Sequence, residues 1–183
     1  MSSSGTVPVT AKALETARLH LRWLTAADAG FMLRIWNDPA FVRHVGDRGL
    51  RTFDDATRAL EQGILATYRQ FGYGPFLVCL ADGREEIGIC GLFRRAGVPD
   101  PDIGYALLPE YTGAGYAAEA ATAVLDHARH GIGLRCVIAI VSPENRPSIA
   151  LLERLGLRYE GMMRLTGEAQ DVSRYAIEWP GAD

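Results

Sequence analysis

The stretch from Ile103 to Val141 constrains the fold more than any other part of the chain. Apolar strand residues, Ile103 to Leu108, lead into the turn Pro109-Glu110-Tyr111-Thr112-Gly113-Ala114-Gly115, and a helical pattern begins at once. Over residues 116–130 that pattern sets Ala117, Ala121, Val124, Leu125 and Ala128 on one face. Gly131 and Gly133 end it. Arg135 to Val141 then has almost no polar side chain, as in a strand covered on both faces.

The remaining elements fit around this unit. Leu19, Leu21 and Trp23 alternate along a first strand. Thr25 to Asp28 reads as a capping box for a helix carrying Phe31, Leu33, Ile35 and Trp36, stopped by Asn37-Asp38-Pro39. Asp54 to Gln70 predicts one further helix. Phe76 to Leu80 and Ile87 to Phe93 predict strands joined by an Asp82-Gly83 hairpin turn. Pro147 to Leu155 predicts a helix capped by Gly156, and strands near 157–164 and 172–179 close the chain as a hairpin. The order β-α-α-β-β-β-α-β-α-β-β implies an α/β fold: a mixed sheet with helices on both faces. No repeat or linker divides it, so residues 14–180 read as one domain behind a flexible lead-in, residues 1–13.

Composition narrows the function classes. Of the 183 residues 48% are hydrophobic and 22% charged, which excludes a disordered or collagenous chain. The net charge of −3 argues against a nonspecific nucleic-acid binder. Cys79, Cys90 and Cys136 are odd in number, lie in apolar runs and have no C-x-x-C spacing. They read as buried thiols in a reducing compartment, not a disulfide frame or metal site. No apolar run approaches a membrane span and the N-terminus shows no signal core, so the expectation is a cytoplasmic protein with no membrane or nucleic-acid partner. A homodimer stays open.

The glycine turn is the chemical signal. Free amides at a helix start, with the positive end of the helix dipole, make an anion site. Gly113 and Gly115 let a phosphate approach the backbone. Gly113, Gly115 and Ala118 also match the dinucleotide pattern G-x-G-x-x-[GA], but the acid required about 20 residues on is lacking: the next strand ends Ile140-Val141-Ser142-Pro143. A diphosphate is the natural ligand of such a turn, with a dinucleotide oxidoreductase as one reading and a plain turn without a ligand as another.

Ile103-Gly104-Tyr105, Gly113-Ala114-Gly115 and Tyr116-Ala117-Ala118-Glu119-Ala120 resemble the GNAT N-acetyltransferase superfamily, most closely the branch that acetylates ribosomal-protein N-termini. Glu15 to Arg22, Trp36-Asn37-Asp38-Pro39, Asn145-Arg146-Pro147-Ser148 and Leu152 to Leu157 extend the resemblance over most of the chain. It implies a GNAT fold, a single mixed, mostly antiparallel sheet in which the parallel strands Ile103–Leu108 and Arg135–Val141 splay apart. It implies acetyl-CoA as co-substrate, no metal, and an amine acceptor, either a peptide N-terminus or a small molecule. The family's Q/R-x-x-G-x-G/A pattern falls on Thr112, Gly115 and Ala117, and Thr112 departs from it, leaving affinity to backbone amides.

By resemblance, Leu107, Thr112, Gly113, Ala114, Gly115, Tyr116, Ala117 and Asn145 hold the cofactor. The backbone at Leu107 pairs with the pantetheine arm, and Asn145 either bonds that arm or caps a helix. The usual acidic tyrosine would fall on Leu152 and is absent. Ser148 is the candidate acid, or else only caps the helical turn. Asp102 and Glu110 are candidate bases, or a strand edge and an exposed loop acid. His20, His44, His127 and His130 show no ligand or triad spacing, with His127 and His130 on the surface side of a helix. Residues 31–75 and 160–175 should supply the acceptor loops, and Arg43, Arg48 and Arg51 would suit carboxylates or phosphates there. Acetyl transfer to a primary amine is the favoured activity, with a non-catalytic acyl-CoA sensor or scaffold as the other class.

Overall fold

The computed structural model describes residues 13–167 and 170–180. Nearly all of the lead-in expected over residues 1–13 lies outside them. Within the described residues, eight strands form one sheet: β1 (Leu14–Glu15), β2 (Leu19–Trp23), β3 (Pro75–Leu80), β4 (Glu86–Phe93), β5 (Asp102–Leu107), β6 (Cys136–Val141), β7 (Arg158–Arg164) and β8 (Asp171–Glu178). Their order is β1-β2-β3-β4-β5-β6-β8-β7, antiparallel throughout except for β5 and β6. This is the mixed, mostly antiparallel sheet with one parallel pair that the GNAT resemblance implied.

Among the described residues, six α-helices complete it: α1 (Ala29–Trp36), α2 (Pro39–His44), α3 (Phe53–Gln62), α4 (Ile64–Phe71), α5 (Tyr116–Asp126) and α6 (Arg146–Arg154). The capping box at Thr25 is present, with Asp28 accepting from the Thr25 amide at 2.6 Å. The single helix expected over 54–70 is two helices, because the backbone breaks at Gly63 (φ −100°, ψ −92°). Asn37-Asp38-Pro39 stops one helix and starts another: Asp38 caps α2 through the Ala40 and Phe41 amides, and Pro39 fills its first turn. Helix α5 runs on through a π turn, His127–Ile132, before Gly133 ends it at positive φ.

The alternation of β3 explains the two-sided core. Phe76 and Val78 pack with α5 residues Ala121 and Val124, while Leu77 and Cys79 face Met32, Ile35 and Leu60 of α1 and α3. Strand β6 is likewise buried on both faces, at Val137, Ile138 and Ala139. Cys79 and Cys90 are buried thiols, and Cys136 is half-buried where β6 begins.

Candidate active site

The parallel pair β5–β6 shares one residue pair, Asp102 with Ile138. The Ile138 amide donates to the Pro101 carbonyl at 2.9 Å, and beyond that point the strands part. Asp102, 1% exposed, sits at the apex of the fork. One carboxylate oxygen accepts from the Ile140 amide at 3.1 Å and the other from Arg95. A strand leaving its neighbour strands its inward amides, and Asp102 supplies the acceptor that Ile140 would otherwise lack. Burial pushes the Asp102 carboxyl above its ordinary range, against the pull of Arg95.

At the open end of the fork, β5 leads through a 3-10 turn, Pro109–Tyr111, to the glycines. Gly113 and Gly115 have φ of +79° and +84°, values that side chains with a Cβ resist. Gly115 is the N-cap of α5 and offers no capping side chain, so the first-turn amides have no side-chain cap, the arrangement an anion can use. Thr112 turns its hydroxyl back to the Pro109 carbonyl at 2.8 Å.

A distant arginine braces this turn. Arg18 donates to the Ala114 carbonyl at 3.0 Å and to Glu119 at 2.7 Å, and lies over the Tyr116 ring at 4.5 Å. Glu119 also accepts from the Thr16 hydroxyl at 2.6 Å and the Arg18 amide at 2.9 Å. Desolvation opposes ionisation of Glu119, but the bonds from Thr16 and Arg18 outweigh it and hold its carboxyl below the usual range. Arg18 and Glu119 both lie in segments that carry the family resemblance, yet nothing in either segment announces that they meet across the chain.

Two clefts flank the fork. The turn-side cleft, about 490 Å³, is lined by Leu107, Thr112, Gly113, Gly115, Tyr116, Ala117 and Asn145 among others. The fork-side cleft, about 430 Å³, opens toward α2, α4 and the loop before α3. Both are lined by Tyr105, Ser148, Asn145 and His44. At this junction the Tyr105 hydroxyl lies 2.8 Å from the Ser148 hydroxyl. Burial pushes the Tyr105 phenol up to about 12, so it keeps its proton through the neutral range. Asn145 caps α6 by accepting from the Ser148 amide at 3.2 Å, which leaves its amide nitrogen over.

A model of the acetyltransferase (GNAT) domain matches residues 18–158. The chain belongs to the GNAT acetyltransferase family. It is 35% identical to the uncharacterized N-acetyltransferase YnaD of Bacillus subtilis, over 91% of this chain and 98% of that one. An acetyltransferase from Agrobacterium tumefaciens superposes with a TM-score of 0.78 and 30% identity, covering 92% and 95% of the two chains. The ribosomal L7/L12 alpha-N-protein acetyltransferase RimL, in complex with coenzyme A, shares the fold at 21% identity and a TM-score of 0.76, over 91% and 98%.

Within this GNAT chain the sequence-derived candidates separate. Seven of the eight cofactor candidates line the turn-side cleft; Ala114 does not, its carbonyl being held by Arg18. Ser148 lies at the junction, and Asn145, not Ser148, caps α6. Asp102 lines neither cleft, because both of its oxygens point into the fork apex. Glu110 lines neither cleft and pairs with Arg34 at 2.5 Å on the surface. Its own backbone amide and Arg34 lower its carboxyl. Arg51 is tied to Asp47 at 2.5 Å, whereas Arg48 lines the fork-side cleft.

Sequence spacing missed two junction residues. Tyr105 stood inside the Ile103-Gly104-Tyr105 segment, but its hydroxyl meets a serine 43 positions away. His44 ends a helix that the spacing did not predict, and it lines both clefts. His127 is half-buried, edge-on to Phe76 at 6.1 Å, and not on an open helix surface. Residues 160–175 contribute nothing to either cleft among the described residues.

Proposed function

We propose that this protein transfers the acetyl group of acetyl-CoA to the α-amine of a peptide in one direct step. The observation that carries this reading is the Tyr105–Ser148 hydroxyl pair, set where the turn-side and fork-side clefts meet. The open amides of α5 and the positive-φ glycines receive the pyrophosphate, and the Asn145 amide nitrogen and the free edge of β5 near Leu107 receive the pantetheine arm. The thioester then lies beside Ser148.

The amine, entering from the fork side, attacks the thioester carbonyl carbon. A C–N bond forms, the C–S bond breaks, and the sulfur takes a proton from Ser148, which Tyr105 can replace along the hydroxyl pair. The amine's surplus proton leaves through His44, directly or by water. Among the described residues that line the fork-side cleft, His44 is the one imidazole, and no Asp or Glu stands there to take the role. Asp102 and Glu110 are too occupied for that role. No covalent enzyme intermediate is needed, since holding amine and thioester together supplies much of the rate.

Such modest base equipment suits an acceptor that is already partly neutral. An α-amine has a pKa of about 7.7–8.0 against about 10.4 for lysine, so at pH 7 its neutral form costs roughly 1–1.4 kcal/mol instead of about 4.6. Peptides with a free N-terminus and an internal lysine are therefore acetylated first at the N-terminus, at a rate that rises with pH through about 7–8. Mass mapping after incubation with acetyl-CoA checks this. Acetyl groups found mainly on internal lysines, or no thiol release with any amine, refute it.

A further inference from the structure

The fork-side cleft is lined by basic side chains and, among the described residues, by no acid. Its titratable lining side chains are His44, Arg48, Arg94, Arg95 and Tyr105, and no Asp or Glu lines it among the described residues. Two of the arginines are committed. Arg95 is paired with Asp102 behind the wall, and Arg94 donates to the Pro99 carbonyl at 2.6 Å while lying over Phe71. The nearest acids face elsewhere: Asp38 lines the neighbouring cleft but caps α2, and Glu110 faces Arg34.

Arg48 is different. Its guanidinium lies 4.7 Å over the ring of buried Trp36 and has no carboxylate or carbonyl partner among the described residues. Desolvation alone draws its pKa below the ordinary value. The residue as a whole is exposed, so a ligand can reach it. A partly desolvated cation is unfavourable until something neutralises it, and the ring face does so less well than a carboxylate held by the guanidinium fork.

We propose that the acceptor is an acidic peptide N-terminus, its α-amine beside Ser148 and an Asp or Glu carboxylate among its first residues on Arg48. The proposal rests on the acetyl-transfer reading above and names its substrate class. The same wall disfavours a second ammonium, so a polyamine is excluded by like charge. It also disfavours the protonated form of the acceptor's own amine, which helps provide the neutral nucleophile.

Three peptides that differ only at the second residue, Asp, Asn or Lys, test it, with spermidine as a fourth acceptor. The expected order of kcat/KM is Asp, Asn, Lys, with about a tenfold step from Asp to Asn carried by KM. Arg48→Gln should level Asp with Asn, and Arg48→Lys should restore part of the preference. Unchanged coenzyme A affinity and melting temperature show that each variant is folded. Equal rates for the three peptides, or a preference for the Lys peptide or spermidine, overturn the proposal. If no peptide is acetylated, the peptide acceptor of the preceding section fails. The charge proposal is then read by calorimetry on the coenzyme A-loaded protein. Tighter binding of the Asp peptide than of the Asn peptide upholds it, and equal binding overturns it.

Discussion

The turn-side and fork-side clefts meet at Ser148 and are built from different materials. The turn-side cleft presents backbone: positive-φ glycines, open helix amides and the edge of a strand that has left its neighbour. The fork-side cleft presents side chains carried by α1, α2, α4, β4 and the loop holding Arg48. On the proposed reading, the backbone surface serves what every acetyl-CoA has in common. A side-chain surface can be re-lettered residue by residue, and it is there that one acceptor can be told from another. The two halves should therefore respond to mutation in different observables.

Gly115→Glu should break the turn-side half outright. Residue 115 must keep a φ of +84°, its added Cβ would stand 3.4 Å from Arg18 Nη2, and the new carboxylate would meet the pyrophosphate. Coenzyme A affinity should fall by more than about a hundredfold, from strain and charge repulsion together. Unchanged affinity by calorimetry would remove the proposed anion site.

The junction comes next. Ser148→Ala should lower kcat by roughly 10²–10⁴-fold with little change in acetyl-CoA affinity, the usual range for losing a proton donor. Tyr105→Phe should lower it less, and the double variant should cost less than the product of the two, because the hydroxyls act as a unit. A loss confined to affinity would assign Ser148 to holding the cofactor. Additive losses would separate the two hydroxyls.

Glu119→Gln probes the brace and has a pH signature. The folded-state pKa of Glu119 is depressed, so its stabilising contribution is fully present above the unfolded value of about 4.3 and is lost as pH falls through the folded value. The gap in stability between wild type and Glu119→Gln should therefore be widest near pH 6–7 and close in acid. Denaturant titration at several pH values checks this, and a gap that does not vary with pH would mean that Glu119 acts through packing alone. At neutral pH the variant should raise KM for acetyl-CoA severalfold and leave kcat nearly unchanged.

The smallest effect is expected at Glu110. Its partner Arg34 is exposed and the pair lies off both clefts, so Glu110→Gln should leave stability essentially unchanged and kcat/KM within twofold. A large loss of kcat would return Glu110 to the chemistry.

Local sequence carried much of this. The strand, glycine turn and helix from Ile103 to Asp126 were legible because each depends on neighbours: apolar alternation, residues that permit positive φ, and a helical stripe. The fold class followed, since a covered strand after that helix admits few arrangements. Where reading failed locally, the cause was also local. Gly63 divides a continuous helical pattern, and Asp38-Pro39 caps a new helix where it looked only like a stop.

The sequence by itself determined the backbone of the candidate anion site and the candidate hydroxyl at Ser148, features fixed within a few residues. Only the tertiary structure decided the pairings: Tyr105 with Ser148, Arg18 with Glu119 and Ala114, Asp102 in the apex of the fork, Arg48 over Trp36. Spans of 43 residues for the hydroxyl pair and 101 for the brace are set by how strands order in the sheet and where helices cross it. A side chain's chemistry depends on what stands within about 3 Å of it, and along the chain those groups are not neighbours.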